Sequence, residues 1–177
     1  YLSEKLGIEN ETVLAPSIVS AKGSLPDRDS LKSKGVAANL AFGQGEILIT
    51  PLKMAEIYSF LATGSYKRSS LVRGFTNYKG LLSTEKSSPE EKLISDSTVR
   101  ALRKMLKSVV DNGKADKAFS ELVSLSGKTG TAQSGIYKNN KEILRTWFSG
   151  YFPSGNPNYA VIVMNENGEG GNSDCAP

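Results

Sequence analysis

The chain has 177 residues, of which 38% are hydrophobic and 23% are charged, with a formal net charge of +4. That length suits one domain with a sizeable core, and the scattered basic residues argue against nucleic acid as a partner. With no histidine and one cysteine, Cys175, histidine-based nucleophilic catalysis within the chain is excluded, and neither a metal nor a cofactor is expected.

Residues 1–36 are weakly patterned. The first residues are typical of a helix end capped by Gly7, and a polar, turn-rich connection through Pro16 and Pro26 follows. We therefore expect residues 1–36 to form an irregular leading segment on the surface.

Two stretches predict core helices. Thr50 followed by Pro51 supplies a hydroxyl N-cap and a first-turn proline, and Gly64 ends that helix. The second helix begins at Ser95 or Ser97 and ends at Gly113. Apolar residues recur at helical spacing in both, at Met54, Ile57, Tyr58 and Leu61 in the first, and at Val99, Leu102, Met105, Leu106, Val109 and Val110 in the second.

The remaining elements are predicted to be strands. Residues 71–75 form one, followed by a polar excursion over 83–89. Three more strands, over 123–134, 146–152 and 159–164, follow the second helix with short connections, of which 135–141 is a hairpin tip. The apolar run of the last strand favours a central position. We predict an α+β fold, an antiparallel sheet flanked by helices.

The most distinctive stretch is Leu-Ser-Gly-Lys-Thr-Gly-Thr-Ala-Gln, residues 125–133. Glycines stand on both sides of Lys128, so that another backbone or a ligand can approach closely. A strand edge with free N–H groups, an ammonium and the hydroxyls of Thr129 and Thr131 suits a peptide carboxylate or a developing oxyanion. On spacing alone an ordinary surface strand is an equal alternative, because Lys-Thr-Gly is only three residues long.

Three stretches together resemble the transpeptidase domain of class B penicillin-binding proteins. They are Gly43-Gln44-Gly45 with Thr-Pro-Leu-Lys-Met-Ala at 50–55, the Lys-Thr-Gly stretch at 127–133, and Trp-Phe-Ser-Gly-Tyr-Phe-Pro at 147–153 leading into Asn-Pro-Asn-Tyr-Ala. The resemblance implies that residues 1–177 are the C-terminal portion of a single transpeptidase domain, with 37–177 its recognisable core. It also implies an incomplete penicillin-binding/serine β-lactamase-like fold.

The resemblance further implies a serine acyltransferase that cross-links peptidoglycan stem peptides and is acylated by β-lactam antibiotics. Lys128 would polarise the site and attract the terminal carboxylate, which the hydroxyls of Thr129 and Thr131 would bind. Gly130 would keep the strand edge open, and the Thr131 backbone N–H would be an oxyanion donor. Trp147 and Phe148 are interpreted as core residues. Such enzymes act at the extracytoplasmic face of the bacterial cell membrane, anchored here by a segment not present in the chain.

The departures from the family pattern concern the nucleophile. Residues 1–36 hold no Ser-x-x-Lys, and the match at residues 83–86 lies in a polar loop, where we interpret it as chance. Ser154-Gly155-Asn156 matches the Ser-x-Asn motif but follows Lys-Thr-Gly in a turn, which is also interpreted as chance. We expect the nucleophile to be absent from this chain, the missing N-terminal half of the domain to be its partner, and the chain alone to be inactive.

Two alternatives stay open. One is a serine β-lactamase or D,D-carboxypeptidase relative, since such enzymes share Lys-Thr-Gly. The other is a non-catalytic β-lactam sensor or wall-assembly scaffold.

Overall fold

The computed structural model describes residues 2–80, 82–84 and 88–177. The described helices are α1 (Leu2–Lys5), α2 (Lys34–Ala41), α3 (Pro51–Thr63), α4 (Asp96–Asp111) and α5 (Gly171–Asp174), with 3-10 turns at Ser30–Lys32 and Asp116–Ala118. The described strands are β1 (Val13–Ala15), β2 (Ile18–Val19), β3 (Gly74–Thr76), β4 (Leu82–Thr84), β5 (Ser126–Lys138), β6 (Lys141–Phe152) and β7 (Tyr159–Gly168). This mixture of helices with antiparallel sheets confirms the predicted fold class. Among the described helices, none has the length and hydrophobicity that a membrane crossing requires.

The main sheet is the predicted antiparallel meander, in the order β5-β6-β7. In its register Lys128 lies opposite Ser149, and Ser149 lies opposite Ile162. The prediction that the last strand is central is wrong for the described part of the chain, where β6 is central and β7 is an outer strand. An apolar run reports packing on the faces of a strand, and it carries no information about neighbours along the hydrogen-bonding direction.

The hairpin between β5 and β6 is longer than predicted. Tyr137 still pairs with Glu142 and Lys138 with Lys141, beyond a register shift in β5. The turn itself consists of two asparagines in the left-handed region, Asn139 with φ 51° and Asn140 with φ 61°. The predicted hairpin tip, residues 135–141, is too wide. The strand ends pair through their backbones but lack the apolar alternation by which a strand is predicted from sequence.

Helix α3 begins and ends as predicted. The Thr50 Oγ1 accepts a hydrogen bond from the Lys53 N–H at 3.1 Å, and Pro51 occupies the first turn. Gly64 has φ 84° and donates its N–H to the Phe60 carbonyl at 2.7 Å.

Helix α4 begins as predicted, with the Ser95 hydroxyl accepting from the Thr98 N–H at 3.2 Å. The predicted end at Gly113 is wrong, since the helix stops at Asp111 and Asn112 is its C-cap. A Cβ at Gly113 would lie 2.8 Å from the Val109 carbonyl oxygen, so the glycine permits close packing and is not a left-handed cap.

The sheet is covered on both faces. Phe148 and Tyr151 are three residues apart on β6 and therefore point to opposite faces. On one face Tyr151 packs with Tyr58 and Ala62 of α3. On the other, Phe148 packs in a cluster with Val110, Ala115, Ala118, Cys175 and Ala176. Phe148 is a core residue as predicted, and Trp147 beside it is half-buried.

Several local predictions are corrected. Residues 1–36 are not wholly irregular, because β1 pairs with β2 and α2 begins at Lys34. The strand predicted over 71–75 is β3 at Gly74–Thr76, which pairs with β4 at Leu82–Thr84, so that β4 overlaps the start of the polar excursion predicted over 83–89. These elements are short and nearly without periodicity, so their pairing depends on partners distant in sequence.

Candidate active site

The centre of the site is the edge of β5 that faces away from β6, a free edge in the sense that no other described strand pairs with it. In an antiparallel edge strand, alternate residues turn both N–H and C=O away from the neighbouring strand. The Thr131 carbonyl accepts from the Gln44 Nε2 at 2.9 Å, and the Gln133 N–H donates to the Gln44 Oε1 at 3.5 Å. These contacts come from outside the sheet, so Thr129, Thr131 and Gln133 carry the outward-facing groups. The Thr131 N–H therefore points away from β6.

Lys128 places a positive charge on the same edge. Its side chain is exposed, and its Nζ donates to the Thr129 carbonyl at 2.7 Å. The ammonium thus lies against the outward carbonyl that precedes the Thr131 N–H along the edge. A cation next to an outward backbone donor is an arrangement that favours a carboxylate or a developing oxyanion.

The two threonine hydroxyls lie on the other side of the strand from the lysine. Thr129 is opposite Phe148 in the register, whereas Lys128 is opposite Ser149, so their side chains point to opposite faces. The Thr131 Oγ1 accepts from the Gly171 N–H of α5 at 3.2 Å. The structure therefore brings the predicted residues together along one edge but does not place them on one face.

The glycines of the motif have different surroundings. A Cβ at Gly127 would lie 2.6 Å from the Phe148 ring and 2.7 Å from the Ser149 carbonyl oxygen. The close approach expected at Gly127 is thus made by the core of the sheet and not by a ligand. At Gly130 a Cβ would make an ordinary 3.5 Å contact with Trp147, and the role of Gly130 in keeping the edge open stays a prediction.

The C-terminal segment supports the site from the face of Phe148. A Cβ at Gly171 would lie 2.6 Å from the Gly130 carbonyl oxygen and 2.7 Å from that of Trp147, so only glycine fits there. Sequence reasoning missed this contact, although the glycines clustered over residues 168–171 are a signal of close backbone approach.

Asp174 holds that segment in place. Its Oδ2 accepts from the Gly170 N–H at 3.0 Å, the Glu169 N–H at 2.7 Å and the Thr146 hydroxyl at 3.1 Å. Hydrogen bonds from the Gly170 N–H, the Ser173 hydroxyl and the Glu169 N–H lower the pKa of Asp174 to about 2. The carboxylate therefore stays ionised and ties α5 to β6 near the Lys-Thr-Gly edge.

Neither short serine match forms a nucleophile in the described residues. Ser83 is exposed and lies in the strand β4, whereas a Ser-x-x-Lys pair must share one helical turn; Glu85 and Lys86 lie outside the described residues. Ser154 lies in the turn between β6 and β7, where its hydroxyl accepts from Ser126 at 2.8 Å. Among the described residues, no serine hydroxyl is hydrogen-bonded to Lys128. The site has a cation and outward backbone donors, and its nucleophile stays predicted to lie outside this chain.

Comparison with known proteins identifies matches along nearly the whole chain. The sequence model of the penicillin binding protein transpeptidase domain matches residues 3–177. Stage V sporulation protein D of Bacillus subtilis is 32% identical over 139 residues, which are 75% of this chain and 21% of that protein. Peptidoglycan D,D-transpeptidase MrdA of Haemophilus influenzae is 29% identical over 164 residues, 81% of this chain and 24% of that protein. The chain thus spans about a fifth to a quarter of these curated relatives.

Solved structures of other proteins superpose on the fold of this chain. The D,D-transpeptidase domain of a peptidoglycan glycosyltransferase from Eggerthella lenta superposes with a TM-score of 0.76 at 26% identity, over 95% of this chain and 42% of that one. Penicillin-binding protein 3 of Mycobacterium tuberculosis, complexed with ampicillin, gives a TM-score of 0.80 at 25% identity, over 94% of this chain and 38% of that one. The chain is therefore similar to part of a transpeptidase domain.

Proposed function

The chain belongs to the penicillin-binding protein transpeptidase domain family, and from that premise we propose that it carries the Lys-Thr-Gly wall of a serine D,D-transpeptidase. The complete enzyme would cross-link peptidoglycan stem peptides at the extracytoplasmic face of the bacterial cell membrane, held there by an anchor outside this chain. Its nucleophilic serine would come from the part of the domain that precedes these residues.

The outward-facing N–H of Thr131 on the free edge of β5 is the observation that carries this proposal. The Gln44 contact to the carbonyl of the same residue fixes its direction, and the Lys128 ammonium lies on the adjacent outward carbonyl. Acyl transfer through a serine develops negative charge on the carbonyl oxygen under attack, and a preorganised N–H donor stabilises that charge.

The proposed mechanism assigns one role to each group. The upstream serine attacks the carbonyl between the two terminal D-alanines, and the Thr131 N–H and the N–H of the serine itself hold the oxyanion. Lys128 polarises the site and attracts the terminal carboxylate, whereas the hydroxyls of Thr129 and Thr131, which lie on the other face of β5, are not assigned to that carboxylate. D-Alanine leaves, and an amine of a neighbouring stem peptide resolves the acyl-enzyme. A β-lactam would acylate the same serine and stay bound.

The missing N-terminal half of the domain is the proposed partner of this chain. β7 is an outer strand in the described sheet, with Tyr159 63% exposed and Val163 39% exposed. An outer strand of this length with exposed apolar side chains is normally paired or covered. The proposed upstream half would cover β7 and place its serine opposite the edge of β5.

Gel labelling with a fluorescent penicillin tests this function. The chain is labelled alone, and again when joined with the upstream half of the domain, either as a co-expressed piece or in one polypeptide. We expect no adduct on the chain alone and a covalent adduct on the upstream half in the completed domain. Lys128→Ala in the completed domain should greatly slow labelling, whereas Lys138→Ala, at the far end of the exposed hairpin, should leave it unchanged.

Other outcomes assign the chain elsewhere. An adduct on this chain alone, mapped to Ser83, would contradict the proposal. A rapidly hydrolysed adduct would indicate a β-lactamase, and release of D-alanine without transfer to an amine would indicate a D,D-carboxypeptidase. A completed and folded domain that takes no label would favour a sensor or scaffold.

A further inference from the structure

We infer that Gln44 is a positioning residue for the proposed oxyanion donor, the Thr131 N–H. Its side-chain amide continues the backbone hydrogen bonding on the free edge of β5. This inference rests on the proposed function and deepens it. The amide donates to the Thr131 carbonyl at 2.9 Å and accepts from the Gln133 N–H at 3.5 Å. One side chain thus satisfies the two outward backbone groups that directly follow the Thr131 N–H.

The backbone of Gln44 is itself held in a defined position. The Gly43 N–H donates to the Leu40 carbonyl at 3.1 Å, and the Gln44 N–H donates to the Asn39 carbonyl at 2.9 Å. With Gly43 at φ 77°, these bonds form a Schellman motif at the end of α2, in which Gln44 is the second residue after the cap. Gly45 is also left-handed, with φ 90°. The two glycines turn the chain so that the glutamine between them faces β5.

The two hydrogen bonds of the Gln44 amide, called the clamp below, hold the backbone groups that orient the Thr131 N–H. The Thr131 carbonyl and the Gln133 N–H belong to the two peptide groups after Thr131, so holding them fixes the orientation of that residue in the strand. The preceding side is fixed by Gly130, which pairs with Trp147 of β6, and the Thr131 hydroxyl is held by the Gly171 N–H. Preorganised donors stabilise an oxyanion because they need no reorientation during the reaction.

If Gln44 served only to hold the 42–50 segment in place, removal of its amide would release that segment and lower the melting temperature. In the described part of the chain, these two bonds are the hydrogen bonds that join the 42–50 segment to β5. The segment also has anchors independent of the Gln44 side chain, namely the backbone Schellman bonds, the pairing of Leu48 with Ser24 and the cap of α3. Loss of the amide should therefore release the edge of β5 while the loop and the helices stay folded.

The test uses the completed domain with two variants at this position. Gln44→Met keeps the length of the side chain and removes both hydrogen bonds. Gln44→Glu keeps an acceptor but loses the donor and sets a carboxylate against the Thr131 carbonyl. Glu46→Ala, an exposed position in the same loop, is the matched control. β-Lactam acylation is measured as the limiting rate at saturation and, separately, as the concentration that gives half of that rate.

We expect Gln44→Met to lower the limiting acylation rate about tenfold, with the half-saturating concentration and the melting temperature nearly unchanged, because the oxyanion donor is kept and only its orientation is less well fixed. Gln44→Glu should be slower still at about pH 8 and, relative to the wild type at the same pH, should recover as the pH falls below about 4.3, because a protonated carboxyl regains a donor. A limiting rate equal to that of the Glu46→Ala control in both variants would overturn the inference.

Amide hydrogen exchange separates this inference from the proposed function. In Gln44→Met the Gln133 N–H should exchange at least tenfold faster than in the wild type, whereas amides within α3 should not change. If the wild-type completed domain is not acylated, the proposed function fails, and the exchange of Gln133 still decides whether the clamp exists. Unchanged exchange at Gln133 would overturn the clamp whatever the acylation result.

Discussion

Two lysines show how the core and the site use the same side chain differently. Lys53 on α3 is 4% exposed, with its Nζ 2.6 Å from the Glu56 carboxylate and 3.2 Å from the Tyr66 hydroxyl. Lys128 on β5 is exposed, and its Nζ lies on the carbonyl of the adjacent Thr129. The first ammonium is held in the core by two partners that the fold supplies. The second makes one local hydrogen bond within the part of the chain that the structure describes, and its exposed side chain can turn to a ligand.

Lys53, Glu56 and Tyr66 form a buried cluster that joins three parts of the chain. The Tyr66 hydroxyl donates to the Leu6 carbonyl at 2.8 Å, and the Ser69 N–H donates to the Glu56 Oε1 at 2.8 Å. Burial and the charge of Glu56 raise the pKa of Tyr66 well above its usual value, so that this hydroxyl remains a donor. The comparison indicates that charge in the core serves architecture, whereas charge at the strand edge is available for chemistry.

The largest expected effect comes from breaking the buried cluster in the completed domain. Glu56→Ala leaves the Lys53 ammonium buried without its counter-charge and should destabilise the fold by about 3–5 kcal/mol. Urea unfolding measures this loss. The double variant Lys53→Met with Glu56→Leu removes both charges and should recover part of the stability, because the Ser69 N–H still loses its Glu56 acceptor. A single variant within about 1 kcal/mol of the wild type would show that the cluster is not a structural unit.

Removing the proposed oxyanion donor should have the opposite signature, a loss of activity with little loss of stability. Thr131→Pro deletes an N–H that points away from β6, a position at which an edge strand tolerates proline. We expect β-lactam acylation to slow by about 100- to 1,000-fold. Thr131→Val keeps the N–H and is the control for the lost hydroxyl. Equal acylation rates for the proline and valine variants would exclude this N–H from the oxyanion hole.

A change at Gly171 should affect both stability and activity, because Gly171 packs on the sheet directly behind the site. In Gly171→Ala the new Cβ would press on the Gly130 and Trp147 carbonyl oxygens, which should cost about 1–3 kcal/mol. Acylation should also slow, since the Gly171 N–H holds the Thr131 hydroxyl. Gly155→Ala, with nothing within 4 Å of its Cβ, should change neither thermal melting nor acylation. Equal melting temperatures for the two alanine variants would contradict the close packing.

The smallest expected effect is the acid sensitivity that Asp174 confers. Its pKa is lowered from an ordinary 3.8 to about 2 in the folded chain. A carboxyl with a depressed folded pKa contributes stability that is complete above 3.8 and is lost as the pH falls through about 2. Asp174→Asn should therefore melt a few degrees below the wild type at about pH 6, with the gap closing as the pH approaches 2. A gap that is independent of pH would show that the charge of Asp174 is not responsible.

The sequence by itself determined the features whose signals lie within a few residues. The caps at Thr50 and Ser95, the meander of the last three long strands and the Lys-Thr-Gly motif were all predicted, because capping and strand alternation are local properties of the backbone. The same local signals misplaced the end of α4 at Gly113. That glycine serves close packing on Val109 and has no left-handed φ.

Only the tertiary structure decided how distant segments meet. Gln44 reaches a carbonyl 87 residues further along the chain, Asp174 ties α5 to Thr146, and Lys53 finds Glu56 and Tyr66 in the core. The outer position of β7 was decided in the same way. These contacts depend on how helices and strands pack together, and packing is a cooperative property of the whole fold that no short stretch of sequence encodes.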